Sequence, residues 1–343
     1  MYQRILRPIL FLFPPESIHH FVGFALKAGF SIPGVKWLVK KAYAVNHPSL
    51  EREVFGLRFP NPVGIAAGFD KEASLYNHLP AFGFGHVEIG TVTPLGQPGN
   101  PKPRLFRLPE DKALINRMGF NNEGVEAFIK NLRKNKPKVI VGGNIGKNTL
   151  TPNDKAIEDY CHCFKALFDL VDYFVVNVSC PNITGLSKLQ DKDELTALLQ
   201  AIQKINLSKP GPKPVLLKVA PDLSEKQLDE VIEMVRETRI NGIIATNTST
   251  LRVNLSTPPE KVKKIGKGGL SGLPIKDRST ATIAYLFKKS EGSIPIIGVG
   301  GIFSARDAIE KINAGATLVQ IYTGFVYAGP SIAKKINKAL INS

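Results

Sequence analysis

Cysteine is scarce in this chain: only Cys161, Cys163 and Cys180 occur among 343 residues. An odd number of cysteines, without the spacing of a disulfide framework, excludes a small disulfide-stabilised secreted fold and favours a reducing compartment. Cys161 and Cys163 flank His162 in a stretch with helical periodicity. No second pair of ligands accompanies them, and a structural zinc ion needs about four, so we predict no metal site.

Long apolar runs and acidic residues are also few. The run Ile9–Phe13 stops at Pro14-Pro15, and no segment reaches the roughly 18 apolar residues of a membrane-spanning helix. The first residues show neither a signal-peptide cleavage pattern nor a transit peptide. The 29 acidic residues are outnumbered by 45 basic ones, a net charge of +16. Because the lysines are scattered over predicted helix faces and no binding motif is present, we expect no nucleic-acid partner.

Residues 1–46 differ from the rest of the chain. Apolar side chains recur at helical spacing from Tyr2 to Phe13, and a second helix is expected to begin near Ser17. The segment has six Lys or Arg residues against a single acid, Glu16. Two short basic helices with apolar faces are typical of a segment that lies on a membrane surface. The alternative is a hairpin that only packs on its own domain.

Residues 47–343 alternate between short β-branched runs and helical periods. A predicted hairpin at Glu53–Phe59 comes first. Eight apolar runs follow: Val63–Ala66, His86–Gly90, Val139–Gly143, Tyr173–Val178, Val215–Val219, Gly242–Ala245, Ile294–Val299 and Thr317–Ile321. Repeated βα units of this number predict an α/β fold, a closed (β/α)8 TIM barrel at 47–343 that carries the helical extension of residues 1–46.

In such barrels the functional residues lie at the C-terminal ends of the strands. Seven of the eight predicted ends carry a side chain that can form hydrogen bonds, and the eighth carries Gly300-Gly301. Helix caps and turns use the same residue types, but their coincidence on one face favours a site. Gly300-Gly301, together with Tyr322-Thr323-Gly324 after the last strand, is typical of a barrel phosphate site.

Two lysines and a set of amides indicate the chemistry of the site. Lys218 lies within an otherwise apolar strand, and Lys71 follows the first strand; either cation would be costly to bury without an anionic partner. A flavin ring that takes up negative charge on reduction is one such partner for Lys218. The amides are Asn116, Asn144, Asn177, Asn182 and Asn247. Neutral donor–acceptor groups suit a flat, imide-bearing substrate better than a phosphorylated sugar.

These residues stand in long motifs that are recognisable as a set. The chain resembles the dihydroorotate dehydrogenase family over essentially its whole length, and specifically the quinone-dependent, membrane-associated class. The motifs that carry the resemblance are Asn61-Pro62-Val63-Gly64 through Asp70-Lys71, Glu88 through Pro94, Pro103 through Arg107, Ile115 through Asn121, Asn144 through Asn148, Asn177 through Asn182, Lys218 through Asp222, Gly268 through Gly272 and Gly298 through Ile302.

The resemblance implies a flavoprotein that oxidises dihydroorotate to orotate in pyrimidine biosynthesis. It implies that FMN is held by Ala67, Gly68, Phe69, Asp70, Lys71, Thr91, Asn144, Asn177, Lys218, Thr246, Gly272, Gly301, Tyr322 and Thr323. It implies that the substrate is held by Lys71, Asn116, Arg117, Met118, Gly119, Phe120, Asn177, Asn182, Asn247 and Thr248. The N-terminal helices would bind a membrane quinone through His19 and Arg107 and would hold the protein at the cytoplasmic face of the cell membrane as a peripheral protein.

One position departs from the pattern of the membrane-associated class. That class usually has serine as the base after the fourth strand, whereas this chain has Cys180, as the soluble class does. Ser187 also replaces a usual arginine. The implied mechanism is removal of a proton from C5 of dihydroorotate by Cys180 and transfer of hydride from C6 to flavin N5. Cysteine suits the role, because a thiol ionises at about pH 8.5, far more readily than a serine hydroxyl.

Two alternatives remain open from the sequence. Cys180 favours the soluble class, which uses fumarate or NAD, but residues 1–46 and the lack of a cysteine set for an iron–sulfur cluster oppose it. A non-catalytic phosphate-binding barrel on a membrane surface is the other alternative, and Lys71, Lys218 and Cys180 together at the strand ends argue against it.

Overall fold

The computed structural model describes residues 2–178 and 192–342, and eight parallel strands close into a barrel at its centre. The strands of the described residues are β1 Arg52–Val54, β2 Leu57–Phe59, β3 Val63–Asp70, β4 His86–Val92, β5 Leu95–Gln97, β6 Leu105–Leu108, β7 Ala113–Asn116, β8 Asn122–Gly124, β9 Ile140–Ile145, β10 Tyr173–Asn177, β11 Val215–Val219, β12 Gly242–Ala245, β13 Gly269–Gly272, β14 Ile296–Val299 and β15 Leu318–Ile321. The barrel closes in the order β3, β4, β9, β10, β11, β12, β14, β15 and back to β3.

Helices follow the barrel strands and cover their outer faces. Together with the N-terminal helices α1–α3, which precede the strands, the α-helices of the described residues are α1 Arg7–Phe11, α2 Pro15–Ser31, α3 Val35–Tyr43, α4 Val125–Lys134, α5 Ala156–Leu167, α6 Lys192–Leu207, α7 Glu225–Thr238, α8 Pro259–Ile265, α9 Lys276–Lys289, α10 Ala305–Asn313, α11 Thr323–Ala328 and α12 Ile332–Ile341. A capping box starts α7: the Ser224 hydroxyl accepts from the N–H of Gln227, and the Gln227 side chain accepts from the N–H of Ser224. Because helices cover one face and the barrel interior covers the other, strands such as β10 and β11 are buried at every position.

The hairpin β1–β2 closes the N-terminal end of the barrel. Phe59 is fully buried in the cluster that fills the barrel interior, and its ring meets His86 edge-on at 5.3 Å. The His86 ring lies over Gly64, where any Cβ would be 2.2 Å from its Nε2 atom. Complete burial lowers the pKa of His86 to about 3, so its imidazole stays neutral at physiological pH. This end of the barrel is therefore packed shut.

The opposite end carries two small sheets beside the C-terminal ends of the barrel strands. One is the three-stranded antiparallel sheet β6–β7–β13, in which Asn116 pairs with Leu105 on one side and with Gly269 on the other. The other is the pair β5–β8, which places Leu95 opposite Gly124. These sheets fix the segment that follows Asn116 at the mouth of the barrel.

The N-terminal helices pack against the side of the barrel. A π-helical turn at Tyr2–Leu6 leads into α1, and the Tyr2 hydroxyl donates to the Val326 carbonyl at 2.7 Å. Among the described residues, no single helix is long and apolar enough to cross a membrane. Only when α2 and α3, which are bent by 111°, are taken together do they reach that length and composition.

The sequence predicted most of this architecture. All eight barrel strands, the hairpin at Glu53–Phe59 and the TIM-barrel fold with N-terminal helices are confirmed. The differences are at the N-terminus, where α2 begins at Pro15 rather than Ser17 and α3 was not predicted, and in the small sheets β5–β8 and β6–β7–β13, which were not predicted either. Gly34, with a φ of +84°, separates α2 from α3. Because Pro33 interrupts the helical pattern just before Gly34, α3 could not be recognised from the sequence.

Candidate active site

A cavity opens at the C-terminal ends of the barrel strands and encloses about 1170 Å³ of space, its open mouth included. The predicted cofactor residues that line it are Ala67, Gly68, Lys71, Thr91, Asn177, Lys218, Thr246, Gly272, Gly301, Tyr322 and Thr323. The predicted substrate residues that line it are Lys71, Asn116, Met118, Gly119, Phe120, Asn177, Asn247 and Thr248. The barrel therefore brings most of the predicted site residues into one concave space at the strand ends, where a cofactor and a substrate would meet.

One end of the cavity is built from glycine-rich backbone. Gly300 and Gly301 follow β14 with φ angles of +123° and +70°. A Cβ at position 301 would lie 2.4 Å from the Cα of Lys276, so glycine alone fits there. Thr323 begins α11, where the first N–H groups have no acceptor within the helix, and its hydroxyl lies 2.8 Å from that of Ser271. Backbone donors and hydroxyls gathered in this way are the groups that bind anions in other proteins.

A network of amides fixes the polar wall of the cavity. The Thr91 hydroxyl donates to Asn144 Oδ1 at 2.6 Å, and Asn177 Nδ2 donates to the same oxygen at 3.1 Å. Asn247 Nδ2 donates to Asn177 Oδ1 at 3.3 Å. Asn144 does not line the cavity but is fully buried behind it. Its side chain therefore orients Thr91 and Asn177, which do line the cavity.

A buried ion pair lies at the base of the cavity. Lys218 Nζ is 3.1 Å from Glu88 Oε1, and the two side chains are 5% and 0% exposed. The remaining bonds of the carboxylate come from Asn144 Nδ2 at 2.7 Å and Gln320 Nε2 at 2.8 Å. The anionic partner that we expected for a buried Lys218 is thus the carboxylate of Glu88 in the same chain. Neither Glu88 nor Gln320 was predicted as a site residue, although a lone acid inside an apolar strand is the same signal that pointed to Lys218.

The loop after β3 is held by Asp70. Its carboxylate accepts three backbone N–H groups, from residues 74–76, each at 2.8 Å. Burial raises the pKa of Asp70, and these three hydrogen bonds oppose that rise. Asp70 does not line the cavity, so its contacts place its neighbour Lys71 there instead. The Lys71 ammonium donates to Asn121 Oδ1 at 2.6 Å, which adds Asn121 to the cavity-lining residues that the sequence did not single out.

The segment 116–120 forms the outer wall of the cavity. Asn116 Nδ2 donates to the Gly269 carbonyl at 3.3 Å across the β7–β13 pair. Phe120 has a left-handed backbone, with a φ of +51°, which turns its ring toward the cavity. Arg117 is the exception, because it does not line the cavity. Its guanidinium donates to the Pro103 carbonyl at 3.0 Å and lies 4.8 Å from the centre of the Phe106 ring.

His19 of α2 reaches the barrel through aromatic contacts. Its ring meets Phe69 edge-on at 5.0 Å, and Phe69 in turn lies 5.7 Å from Tyr322, a residue of the cavity wall. Burial lowers the pKa of His19 to about 4, so the imidazole is neutral at pH 7. A line of aromatic rings therefore connects the N-terminal helices to the cavity, and it explains the position of Phe69, which does not itself line the cavity.

Arg107 lies at the end of α1, the helix that precedes the one carrying His19. Its guanidinium donates to the Phe13 carbonyl at 2.7 Å and lies 4.4 Å from the centre of the Phe11 ring. Burial lowers the pKa of Arg107, although an arginine remains charged at any physiological pH. Arg107 thus anchors the C-terminus of α1, where carbonyl groups attract a cation.

Two predicted residues, Cys180 and Asn182, lie outside the residues that the structure describes. Asn177, at the end of β10, lines the cavity three positions before Cys180. Among the described residues there is no group of three or more metal-ligating side chains.

Comparisons with known proteins identify the family. The sequence profile described as dihydroorotate dehydrogenase matches residues 49–343. The chain belongs to the dihydroorotate dehydrogenase family. Its relatives within this family include a protein of Christiangramia forsetii named dihydroorotate dehydrogenase (quinone), which is 56% identical over 99% of each chain. A second, from Thermosynechococcus vestitus and with the same name, is 46% identical over 99% of this chain and 96% of its own length.

The dihydroorotate dehydrogenase fold is seen in solved structures as well. A DHODH of Eimeria tenella, crystallised in complex with ferulenol, superposes with a TM-score of 0.84 at 34% identity and covers 96% of this chain and 91% of its own. The expected resemblance to the quinone-dependent class is confirmed by the names of the relatives. Because the first alignment covers 99% of this chain, it takes in N-terminal helices that precede the family match at residue 49.

Proposed function

We propose that the protein oxidises dihydroorotate to orotate, with FMN bound in the barrel cavity and a membrane quinone as the final electron acceptor, in pyrimidine biosynthesis. The observation that carries the proposal is the convergence of a glycine-rich anion surface, two lysines and an amide network in one cavity of a dihydroorotate dehydrogenase family member. The names of the relatives favour a quinone over the fumarate or NAD of the soluble class.

The residues present fit FMN. Its phosphate matches the backbone donors at Gly300-Gly301 and Thr323, where the absence of a Cβ on Gly301 is a requirement of the fold. Lys218 supplies a cation beneath the polar wall, and Thr91 and Asn177 supply donors and acceptors for the edge of a ring. When bound, FMN supplies the hydride acceptor for the reaction.

The side chains of the cavity would hold the substrate and move its proton. Asn116, Asn177 and Asn247 offer paired donors and acceptors to the imide of dihydroorotate, and Lys71 offers a charge to its carboxylate. Cys180, as thiolate, would take the proton from C5 while the hydride leaves C6, which forms the C5–C6 double bond of orotate. Thr91 and Asn177 are already oriented by Asn144, so little ordering is needed on binding.

The N-terminal helices would provide the quinone and membrane side. His19, neutral and packed on Phe69, and Arg107, at the end of α1, are proposed quinone contacts. Large apolar side chains of residues 2–46 that remain exposed are Ile5, Leu6, Ile9, Leu12, Phe13, Phe21, Val22, Phe24, Ile32, Trp37 and Leu38. An apolar surface with flanking lysines suits the anionic, cytoplasmic face of a cell membrane, on which we propose that these helices rest as a peripheral anchor.

Flavin content tests the proposal first. We expect the purified protein to carry bound FMN, visible by its absorbance, and we expect anaerobic addition of dihydroorotate to bleach it. A soluble quinone analogue should then restore the colour, whereas fumarate and NAD should not. Colourless protein that stays inactive with added FMN would instead support a non-catalytic phosphate-binding barrel. Recovery with fumarate or NAD would indicate the soluble class.

A second test addresses the membrane anchor. Leu12 and Phe24 are 82% and 67% exposed, and we expect Leu12→Ser with Phe24→Ser to weaken binding to anionic phospholipid vesicles at least about tenfold. The loss reflects apolar area that no longer enters the lipid. Leu207→Ser is the matched control, since Leu207 is also 67% exposed but ends α6, away from the N-terminal helices. Sedimentation with vesicles gives the comparison, and equal losses in both proteins would contradict the anchor.

A further inference from the structure

An ion pair joins the N-terminal helices to the barrel at Glu16 and Arg104. Arg104 donates from Nη2 to Glu16 Oε1 at 2.7 Å and from Nε to both carboxylate oxygens at 3.2 Å. The Arg104 and Glu16 side chains are only 7% and 13% exposed. Burial opposes ionisation of Glu16, but Arg104, together with the nearby charges of Lys102 and Lys71, holds the pKa of the carboxyl below its ordinary value. A bidentate pair of this kind is the strong form of a salt bridge.

The Nη1 group of the same Arg104 guanidinium binds the loop between β5 and β6. Arg104 Nη1 donates to the carbonyl of Asn100 at 3.0 Å and also to that of Pro98. The space is tight, since a Cβ on Gly99 would lie 2.9 Å from Arg104 Nη1 and 2.2 Å from the Met118 carbonyl. Arg104 thus fixes the backbone path of residues 98–100. Glu16 in turn holds the Arg104 guanidinium in place.

That loop is bonded directly to the outer wall of the cavity. The Asn100 N–H donates to the Met118 carbonyl at 3.0 Å, and its side-chain amide donates to the Arg117 carbonyl at 2.9 Å. The Arg117 N–H donates to the Arg104 carbonyl at 2.8 Å. Segment 116–120 is therefore tied on its outer side to Arg104 and Asn100, and through Arg104 to helix α2.

We infer that Arg104 is a positioning residue for the substrate, and that Glu16 makes substrate affinity depend on how α2 is docked. The inference rests on the proposed function, because it takes segment 116–120 to be the wall that holds dihydroorotate and orotate. Glu16 and Arg104 do not line the cavity, so they act through the backbone of this segment. The consequence is a connection between the substrate side of the enzyme and the helices proposed to meet the membrane.

Orotate binding to the flavin-loaded, full-length protein tests this. Glu16→Gln keeps the shape of the side chain but removes the charge that orders the guanidinium. We expect it to raise the Kd for orotate about tenfold, the worth of roughly one charge-assisted hydrogen bond, and to raise the KM for dihydroorotate with kcat at saturation changed less than about twofold. Isothermal titration calorimetry gives the Kd without turnover.

Two further variants sharpen the result. Lys102→Gln removes the outer partner of Glu16, whose ammonium is 3.7 Å away and whose side chain is 68% exposed, so orotate affinity should stay at the wild-type value. Arg104→Lys keeps the charge, but a lysine cannot reach Glu16 and two carbonyls together. It should therefore raise the Kd for orotate as Glu16→Gln does. This second variant decides the matter if Glu16→Gln folds poorly, which circular dichroism will show.

The outcomes separate the inference from the proposed function. If the wild-type protein does not bind orotate, the proposed function fails. If it binds orotate and the folded Glu16→Gln and Arg104→Lys proteins bind it equally well, the inference is wrong. A loss shared by Lys102→Gln would also overturn it, because the effect would then follow surface charge rather than the Arg104 contacts.

Discussion

A Lys218→Met substitution should lower the free energy of unfolding by about 3–5 kcal/mol and leave the purified protein without flavin. The structural reason is that Glu88 would remain fully buried with its cation removed. The functional reason is that the cavity would lose the cation proposed to face the flavin ring. Urea unfolding of cofactor-free protein, followed by circular dichroism, measures the first effect, and visible absorbance measures the second.

Lys218→Met with Glu88→Gln separates the two effects. The double variant removes both charges, so most of the lost stability should return, yet the flavin should still be absent. The amide at position 88 can be accommodated, because Gln320 Oε1 has no hydrogen-bond partner among the described residues and can accept from it once the Gln320 amide is turned. If Lys218→Met alone proves as stable as the wild type and keeps its flavin, the buried pair has neither role.

The largest kinetic effect is expected at Cys180. Cys180→Ala should retain FMN and orotate binding but slow the bleaching of the flavin by dihydroorotate roughly 10²–10⁴-fold, the usual contribution of a positioned general base. Anaerobic rapid mixing isolates this step from the later quinone reaction. If Cys180 has only a packing role, its replacement by alanine would lower the stability of the protein and leave the rate of flavin bleaching unchanged. Bleaching at the wild-type rate would therefore remove Cys180 from the mechanism.

Cys180→Ser is the informative companion of that variant. Serine is the usual base in the membrane-associated class, so we expect activity between that of the parent and that of Cys180→Ala. Its rate should keep rising to higher pH than the parent's, because a hydroxyl ionises far above the pH of about 8.5 at which a thiol ordinarily does. Identical pH profiles for the two proteins would show that ionisation at position 180 does not limit the step.

The barrel could be predicted from the sequence because its signals are local. Strands such as Val215–Val219 and Gly242–Ala245 agree with the structure at both ends, since each is a short apolar run bounded by residues that favour turns. The convergence of Lys71, Asn177 and Tyr322 followed from the rule that strand ends share one face of a barrel.

What could not be predicted depends on which side chains meet across the fold. Glu88 and Lys218 are 130 residues apart, and only the closed barrel places them 3.1 Å from each other. The Asp70 carboxylate accepts three backbone N–H groups and does not line the cavity. These bonds depend on the local path of residues 74–76. Likewise Glu16 appeared in the sequence only as the single acid of a basic segment, with nothing to indicate Arg104 as its partner.

The bond between Tyr2 and the Val326 carbonyl spans 324 residues, and the tyrosine ring lies against Gly329 near the end of the chain. At synthesis rates of roughly 5–20 residues per second, the first helix therefore leaves the ribosome between about 15 and 65 seconds before its binding surface exists. For that interval its apolar side chains have no barrel to pack against, and lipid or a chaperone is the partner within reach. The contacts of Tyr2 can therefore form only when nearly the whole chain has been made.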